Sequence, residues 1–134
     1  MKAAILAATI SIYLITALSA CSSGQSKPDV AAALAAKDYY DSLTNGGYEY
    51  FTDMHYRKER IPESYRKQLV DNTKMFLAEM EKTHGGIKEV IMQNCKNDSL
   101  GTSAEAYLII CFTDSTKEEI VVPMVKVKDK WMMR

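Results

Sequence analysis

Apolar residues fall into three rhythms along the chain. The first is a nearly unbroken run. Fifteen of the first 20 residues are apolar, and between Ala3 and Ala17 only Thr9, Ser11 and Thr16 interrupt them, behind the single charge of Lys2. The second rhythm begins after Pro28, with apolar positions three and four apart, and predicts helices. Val30–Leu43 is Ala-rich and sets Ala33, Ala36, Tyr40 and Leu43 on one face. Ser26-Lys27-Pro28-Asp29 suits its start as a capping box with an acid near the positive helix end, and Asn45-Gly46-Gly47 suits its stop. Tyr48 to about Met54 gives a short second helix with Tyr48, Phe51 and Met54 on one side. Pro62 opens a third, running to Thr83 or His84 and stopped by Gly85-Gly86. Its stripe is Tyr65, Leu69, Phe76 and Met80, widened by Val70 and Leu77. At 1.5 Å per residue it reaches about 33 Å, long enough to lie across a sheet.

From residue 87 the period changes to two, the rhythm of strands. Ile87–Lys96 and Ser103–Thr113 flank the loop Asn97-Asp98-Ser99-Leu100-Gly101. Glu119 to Lys126 or Val127 follows, then a turn at Lys128-Asp129-Lys130 and a short strand at Trp131–Arg134. In the second strand Ala104, Ala106, Leu108, Ile110 and Phe112 alternate with Glu105, Tyr107, Ile109, Cys111 and Thr113, so its centre is apolar on both faces. Pro123 cannot donate a ladder hydrogen bond and predicts a bulge or an unpaired position. Helices followed by an antiparallel meander predict an α+β domain, N-terminal helices packed on a curved four-stranded sheet.

Composition changes the picture at the N-terminus. The whole chain of 134 residues is 47% hydrophobic. A charged start, an apolar middle and the small residues Ser19-Ala20 before Cys21 describe a secretory signal. Leu18-Ser19-Ala20-Cys21 resembles the lipobox of bacterial lipoproteins, in which the Cys thiol receives a diacylglycerol and becomes the new N-terminus. The competing reading is an uncleaved membrane helix, since residues 3–20 approach the ~17–25 residues that span hydrocarbon. Under the lipobox reading, residues 1–20 are a signal peptide, 21–27 are a lipidated Cys and polar linker, and 28–134 are one domain. Cys21 is then the lipidation site and the membrane the first partner. With no Asp directly after Cys21, the pattern resembles an outer-membrane lipoprotein facing the periplasm. Removing the signal leaves an ordinary apolar content, about 42%. The remaining charges, 16 basic and 17 acidic, give no basic excess for nucleic acid.

Cys95 and Cys111 remain. Pairing about the Asn97–Gly101 loop puts Cys95 opposite about residue 104 and leaves Cys111 roughly 20 Å further along its strand. A disulfide needs Cα atoms within about 7 Å, so both are expected as free, buried thiols.

Three helices and then a curved four-stranded sheet resemble the cone-shaped fold of the nuclear-transport-factor-2-like, cystatin-like superfamily. Tyr39-Tyr40-Asp41-Ser42-Leu43 before Gly46-Gly47-Tyr48, Ile61-Pro62 with Tyr65-Arg66, Gly85-Gly86-Ile87 with Val90, and Val125-Lys126-Val127-Lys128-Asp129-Lys130-Trp131 are similar to its small bacterial lipoprotein members of unknown function. The resemblance covers residues 28–134. It implies a scaffold with many uses, among them isomerases that place an acid and hydrogen-bond donors inside the cone.

The residues themselves supply no catalytic constellation. His55 stands in a polar connector and His84 at a helix C-terminus; no His-x-x-x-His or Cys pair has metal spacing, so neither metal nor cofactor is expected. Asp53 reads as a solvated helix position. Arg57, Lys58, Arg60, Arg66 and Lys67 form either an anion patch or a solvated segment diluted by Glu59 and Glu63, and the second is favoured. Tyr40, Phe51, Tyr65, Tyr107 and Trp131 are the candidates for lining a pocket. The expectation is a non-enzymatic, membrane-anchored domain binding a small molecule or a protein. The alternatives are a small hydrolase or isomerase with an acid in the cone, or a structural envelope protein. A homodimer through the sheet face is the other partner expected.

Overall fold

The computed structural model describes residues 29–134. The apolar N-terminal run, Cys21 and the capping residues Ser26 to Pro28 lie outside them. The elements are α1 (Ala31–Thr44), α2 (Tyr48–Asp53), α3 (Glu63–His84), β1 (Ile87–Asn97), β2 (Ser103–Phe112), β3 (Lys117–Val127) and β4 (Lys130–Met133). The strands form one antiparallel sheet in the order β1-β2-β3-β4. The architecture is α+β, as the change of rhythm at residue 87 predicts.

The helix that seals the core is the first. Ala32, Ala33 and Ala36 are fully buried, and their lack of bulk lets the α1 backbone approach the sheet closely. They pack with Ala106, Leu108 and Val122 from the sheet centre and Met124, Trp131 and Met133 from its β4 side. Tyr39 and Leu43 continue the buried line at helical spacing, whereas Tyr40 turns aside and is half-buried. Asp29 helps start the helix, its carboxylate accepting from the Ala31 N–H at 3.0 Å.

In β2 the whole set Ala104, Ala106, Leu108, Ile110 and Phe112 is buried against the helices, each Leu or Ile burial stabilising by about 1.5–3 kcal/mol. Cys111, on the opposite face, is buried too. Two features differ from the sequence expectation. The bulges lie in β1, between Ile87 and Glu89 and between Met92 and Asn94, where they curve the sheet. Pro123 instead pairs in register with Glu105. Its carbonyl accepts from the Arg134 N–H at 2.9 Å, so its missing donor faces the end of the short β4, where no ladder bond is lost. The second correction is the register: Cys95 lies opposite Ala106 and Cys111 opposite Glu89. Five residues of β2 separate those positions, about 17 Å. The thiols are free, but Cys95, packed at the edge of the core, is half-buried rather than buried.

The segment after α2 covers the outer edge of β4. Met133 N–H donates to the Met54 carbonyl at 2.9 Å, and Tyr56 N–H donates to the Met133 carbonyl at 2.6 Å. An edge strand is thereby protected, and residues 55–57 are fixed beside the sheet.

α3 behaves unlike its predicted role. Val70 is its one buried residue, and Tyr65 and Phe76 stay 48% and 47% exposed. The helix is pinned at its two ends. Near its start Arg66 grips Asp53 with two hydrogen bonds of 2.8 Å. At its end Gly85, with φ of 77°, closes the helix through N–H bonds from Gly85 and Gly86 to the Glu81 and Met80 carbonyls. There His84 stacks on Phe112 at 4.4 Å and hydrogen-bonds Asp114 at 2.8 Å. Between those pins the middle of α3 stands away from the sheet.

Candidate functional site

The space left under α3 is a half-open cavity of about 460 Å³. Leu69, Asn72, Thr73 and Phe76 come from α3, where spacings of three and four put them on one side. Tyr40 and Leu43 come from the last turns of α1, and Phe51 and Thr52 from α2. Ile110 of β2 and Ile120 of β3 supply the floor, and His55 and Arg57 close one end. A mostly apolar pocket with a few placed polar groups is the usual form of a small-molecule site.

One wall is a run of edge-to-face aromatic contacts. Tyr40 meets Phe51 at 5.1 Å, and Phe51 meets His55 at 5.0 Å. Such contacts hold ring planes in fixed relation. The His55 imidazole is oriented by Nδ1, which lies 2.9 Å from the Phe51 carbonyl. A carbonyl only accepts, so Nδ1 carries the proton and Nε2 keeps its lone pair. Burial pushes the His55 pKa down, and the nearby Arg57 charge pushes it the same way. The ring is therefore a neutral acceptor at neutral pH. Burial also raises the Tyr40 hydroxyl pKa, keeping it a protonated donor.

Arg57 donates from Nη1 to the Thr52 carbonyl at 3.0 Å and the His55 carbonyl at 3.4 Å. Among the described residues no carboxylate forms an ion pair with it. A half-buried guanidinium held by backbone carbonyls keeps its full charge and its remaining donors. Glu118 lines the opposite end and is exposed to solvent.

Of the five pocket candidates read from sequence, the structure brings Tyr40 and Phe51 together on the cavity wall. Tyr65, a turn before Leu69 on α3, is 48% exposed and does not line the cavity. Tyr107 lies on the outer face of the sheet, its hydroxyl donating to Glu105 at 2.8 Å. Trp131 is core, its carbonyl accepting from the Tyr39 hydroxyl. In sequence His55 stands in a polar connector and Arg57 in a basic run, and neither is marked there as a cavity residue. The available signal was that His55 follows Phe51 by four residues and so continues the same helical face.

The other candidate groups are spent elsewhere. Asp53 is exposed, and its carboxyl is held below the usual range chiefly by the hydrogen bonds of Arg66. Arg66 thus leaves the basic run as an ion-pair partner, and Arg57 leaves it for the cavity. His84 meets both Asp114 and Thr116 through the same nitrogen, Nδ1, at 2.8 and 3.2 Å. A triad needs base and orienting acid on opposite ring nitrogens, so this is a structural joint. Neither thiol hydrogen-bonds a histidine among the described residues; Cys95 Sγ contacts Asn97 at 3.9 Å. The described residues hold no group of three or more His, Cys, Asp or Glu suited to a metal ion, and none of their helices is long and apolar enough to cross a membrane. The outer face of the sheet exposes Ile91 and Val121, 38% and 48%, beside half-buried Tyr107 and Ile109.

No protein-family model matches the chain, and no curated protein is similar enough to match it. Among solved structures it is similar to a Campylobacter jejuni protein described as a "putative NTF2-like transpeptidase", with a TM-score of 0.60 and 16% identity. The likeness covers 73% of this chain and 92% of that one. At that identity the likeness is one of fold. The three helices over a curved four-stranded antiparallel sheet, with a cavity beneath the third helix, are an NTF2-like α+β fold.

Proposed function

We propose that this is a lipid-anchored protein of the bacterial cell envelope, periplasm-facing, whose domain binds a small amphipathic organic anion without transforming it. The anchor rests on Leu18-Ser19-Ala20-Cys21 behind an apolar run. The binding reading rests on one observation: an aromatic cavity with an Arg57 guanidinium at its end that forms no ion pair with a carboxylate among the described residues. An apolar body fits against Tyr40, Phe51 and Phe76, and a carboxylate, sulfonate or phosphate group fits Arg57, with neutral His55 accepting a hydrogen bond beside it. Catalysis finds less support. The cavity holds no thiol and no serine, Thr52 donates its hydroxyl to the Tyr48 carbonyl, and Glu118 is at the solvent rim.

The test is titration with anilinonaphthalene sulfonate, an aromatic sulfonate probe whose emission rises in apolar sites. Arg57→Gln should weaken binding about tenfold or more, as loss of a charge-assisted hydrogen bond in a partly dry site predicts. Leu69→Trp, which fills the cavity, should abolish it. Unchanged affinity in both variants would remove the cavity as the site. Palmitate labelling tests the anchor, with incorporation expected in the natural chain and lost in Cys21→Ala.

The neighbour's name motivates the second reading, a peptide-bond-exchanging enzyme. It requires a nucleophile, so turnover of a peptide substrate that disappears in Cys95→Ser or Cys111→Ser would replace the binding reading. A homodimer through the exposed Ile91 and Val121 face is a further partner proposal, checked by sedimentation of Val121→Glu against the natural chain.

A further inference from the structure

We propose that the end of the domain bearing the β1–β2 hairpin tip is its membrane-docking surface, with Leu100 entering the interface of a phospholipid bilayer and four lysines meeting its phosphates. The proposal rests on the lipid-anchor reading of Cys21, and three structural facts converge on that end.

The first is where the described chain begins. Asn97, at the end of β1, donates its side-chain N–H to the Asp29 carbonyl at 2.7 Å, so the chain leading from Cys21 reaches the domain beside the hairpin. Asp29 is eight residue steps from Cys21, which at full extension span at most about 29 Å. A lipid at Cys21 therefore holds this end within that reach of the bilayer.

The second is register. Ser103 pairs with Val125, and the Lys126 N–H donates to the Thr102 carbonyl at 2.8 Å. The β3–β4 turn thus lies at the same end of the sheet as the β1–β2 tip.

The third is what this end displays. Leu100 is 81% exposed at the tip. Lys96, Lys126, Lys128 and Lys130 are exposed, and none forms an ion pair among the described residues. Lys96 and Lys126 lie over the Tyr107 and Trp131 rings at 5.0 and 5.8 Å. The acids of this end are exposed as well, and three of them are engaged in local hydrogen bonds. Asp98 accepts from the Thr102 N–H and the Thr102 and Ser103 hydroxyls, Glu105 accepts from Tyr107, and Asp29 accepts from Ala31. Asp129, in the β3–β4 turn, is exposed without a side-chain hydrogen bond among the described residues. An exposed leucine at the same end as four lysines without carboxylate partners suits a lipid interface, the apolar side chain entering it and the long lysine stems reaching lipid phosphates. α1 is about 21 Å long at its 14 residues, and Tyr40 and Leu43 lie in its last turns, so the cavity sits toward the end away from the bilayer.

The experiment uses the full chain recovered from labelled cells and reconstituted in vesicles of 30 mol% phosphatidylglycerol with brominated acyl chains. Tryptophan fluorescence is compared for the natural chain, Leu100→Trp, and Lys82→Trp on the last turn of α3 at the other end. Bromine quenching of the added tryptophan should be more than about twofold greater at 100 than at 82, since only an inserted indole meets acyl bromine. Lys128→Glu with Lys130→Glu in the Leu100→Trp chain should reduce it. A chain that carries the acyl label yet is quenched equally at both positions overturns the docking surface and leaves the anchor standing. A chain without the label that is still quenched at 100 overturns the anchor and keeps the docking surface. Neither label nor quenching overturns both.

Discussion

Tyr39, in the first helix, donates its hydroxyl proton to the backbone carbonyl of Trp131, in the last strand. The two residues are 92 apart in sequence, and both are buried. One bond therefore ties α1 to β4 and closes the domain from end to end. A buried carbonyl that loses its donor costs about 1–3 kcal/mol, because no water replaces the partner. Tyr39→Phe should lower stability by that amount, about 4–8 °C in Tm per kcal/mol for a domain near this size. Tyr50→Phe is the control. Its hydroxyl bonds Asp38 at an exposed site, and the change should be small. Urea unfolding of the two variants checks the contrast, and equal losses would remove the special role of the Trp131 carbonyl.

His55 sets a second expectation. Burial lowers its pKa in the folded state below the ordinary 6.5. As pH falls through about 6.5, the unfolded chain takes up a proton that the folded chain still refuses. Stability from this group is thus complete above that pH and declines below it, toward the folded pKa. His55→Gln should flatten the decline. NMR titration of the two imidazoles should place the His55 midpoint below 6.5; a midpoint at or above it would show that the ring is solvated.

At the far end of α3, Asp114 gives the acid counterpart. Hydrogen bonds from the Thr116 hydroxyl and N–H, then from His84, lower its pKa from 3.8 to about 2. A depressed carboxylate stabilises the fold above its unfolded pKa and loses that effect as pH falls to the folded one. Asp114→Asn should therefore destabilise at neutral pH and differ little from the natural chain near pH 2. Unfolding curves across pH 2 to 5 report the difference.

How much of this was legible in the sequence depends on which force decides each element. The helix and strand order was legible because periods of 3.6 and 2 are set by one-sided burial, and every second residue of β2 from Ala104 to Phe112 is buried. The role of α3 was not. Leu69, Phe76 and Met80 repeat as a core stripe does, yet periodicity records which residues share a face and not whether anything touches it. The Ala32, Ala33 and Ala36 face of α1 takes the close position on the sheet. The pins at Arg66–Asp53 and His84–Asp114 then fix α3 by its ends. Those pins join residues 13 and 30 apart, which no local pattern announces. The cavity is a consequence of this geometry, so Tyr40 and Phe51 were identifiable as aromatic candidates while His55 and Arg57 looked like part of a solvated connector.

If the middle of α3 does stand off the sheet, truncating its stripe should cost little. Phe76 leaves 47% of its surface exposed and faces a space already open. Phe76→Ala removes area that is only half dry and creates no new enclosed void, so the loss should be about 1 kcal/mol, against 3–5 for a buried Phe. Leu108, fully buried in the centre of β2, should behave in the opposite way, with about 2–5 kcal/mol lost on Leu108→Ala. The two variants are compared by urea unfolding, with anilinonaphthalene sulfonate titrated into each below its transition. Phe76→Ala should weaken probe binding far more than it weakens the fold, and Leu108→Ala should do the reverse. A Phe76→Ala chain destabilised as strongly as Leu108→Ala would mean that α3 is packed down on the sheet in solution, and the cavity would then be closed.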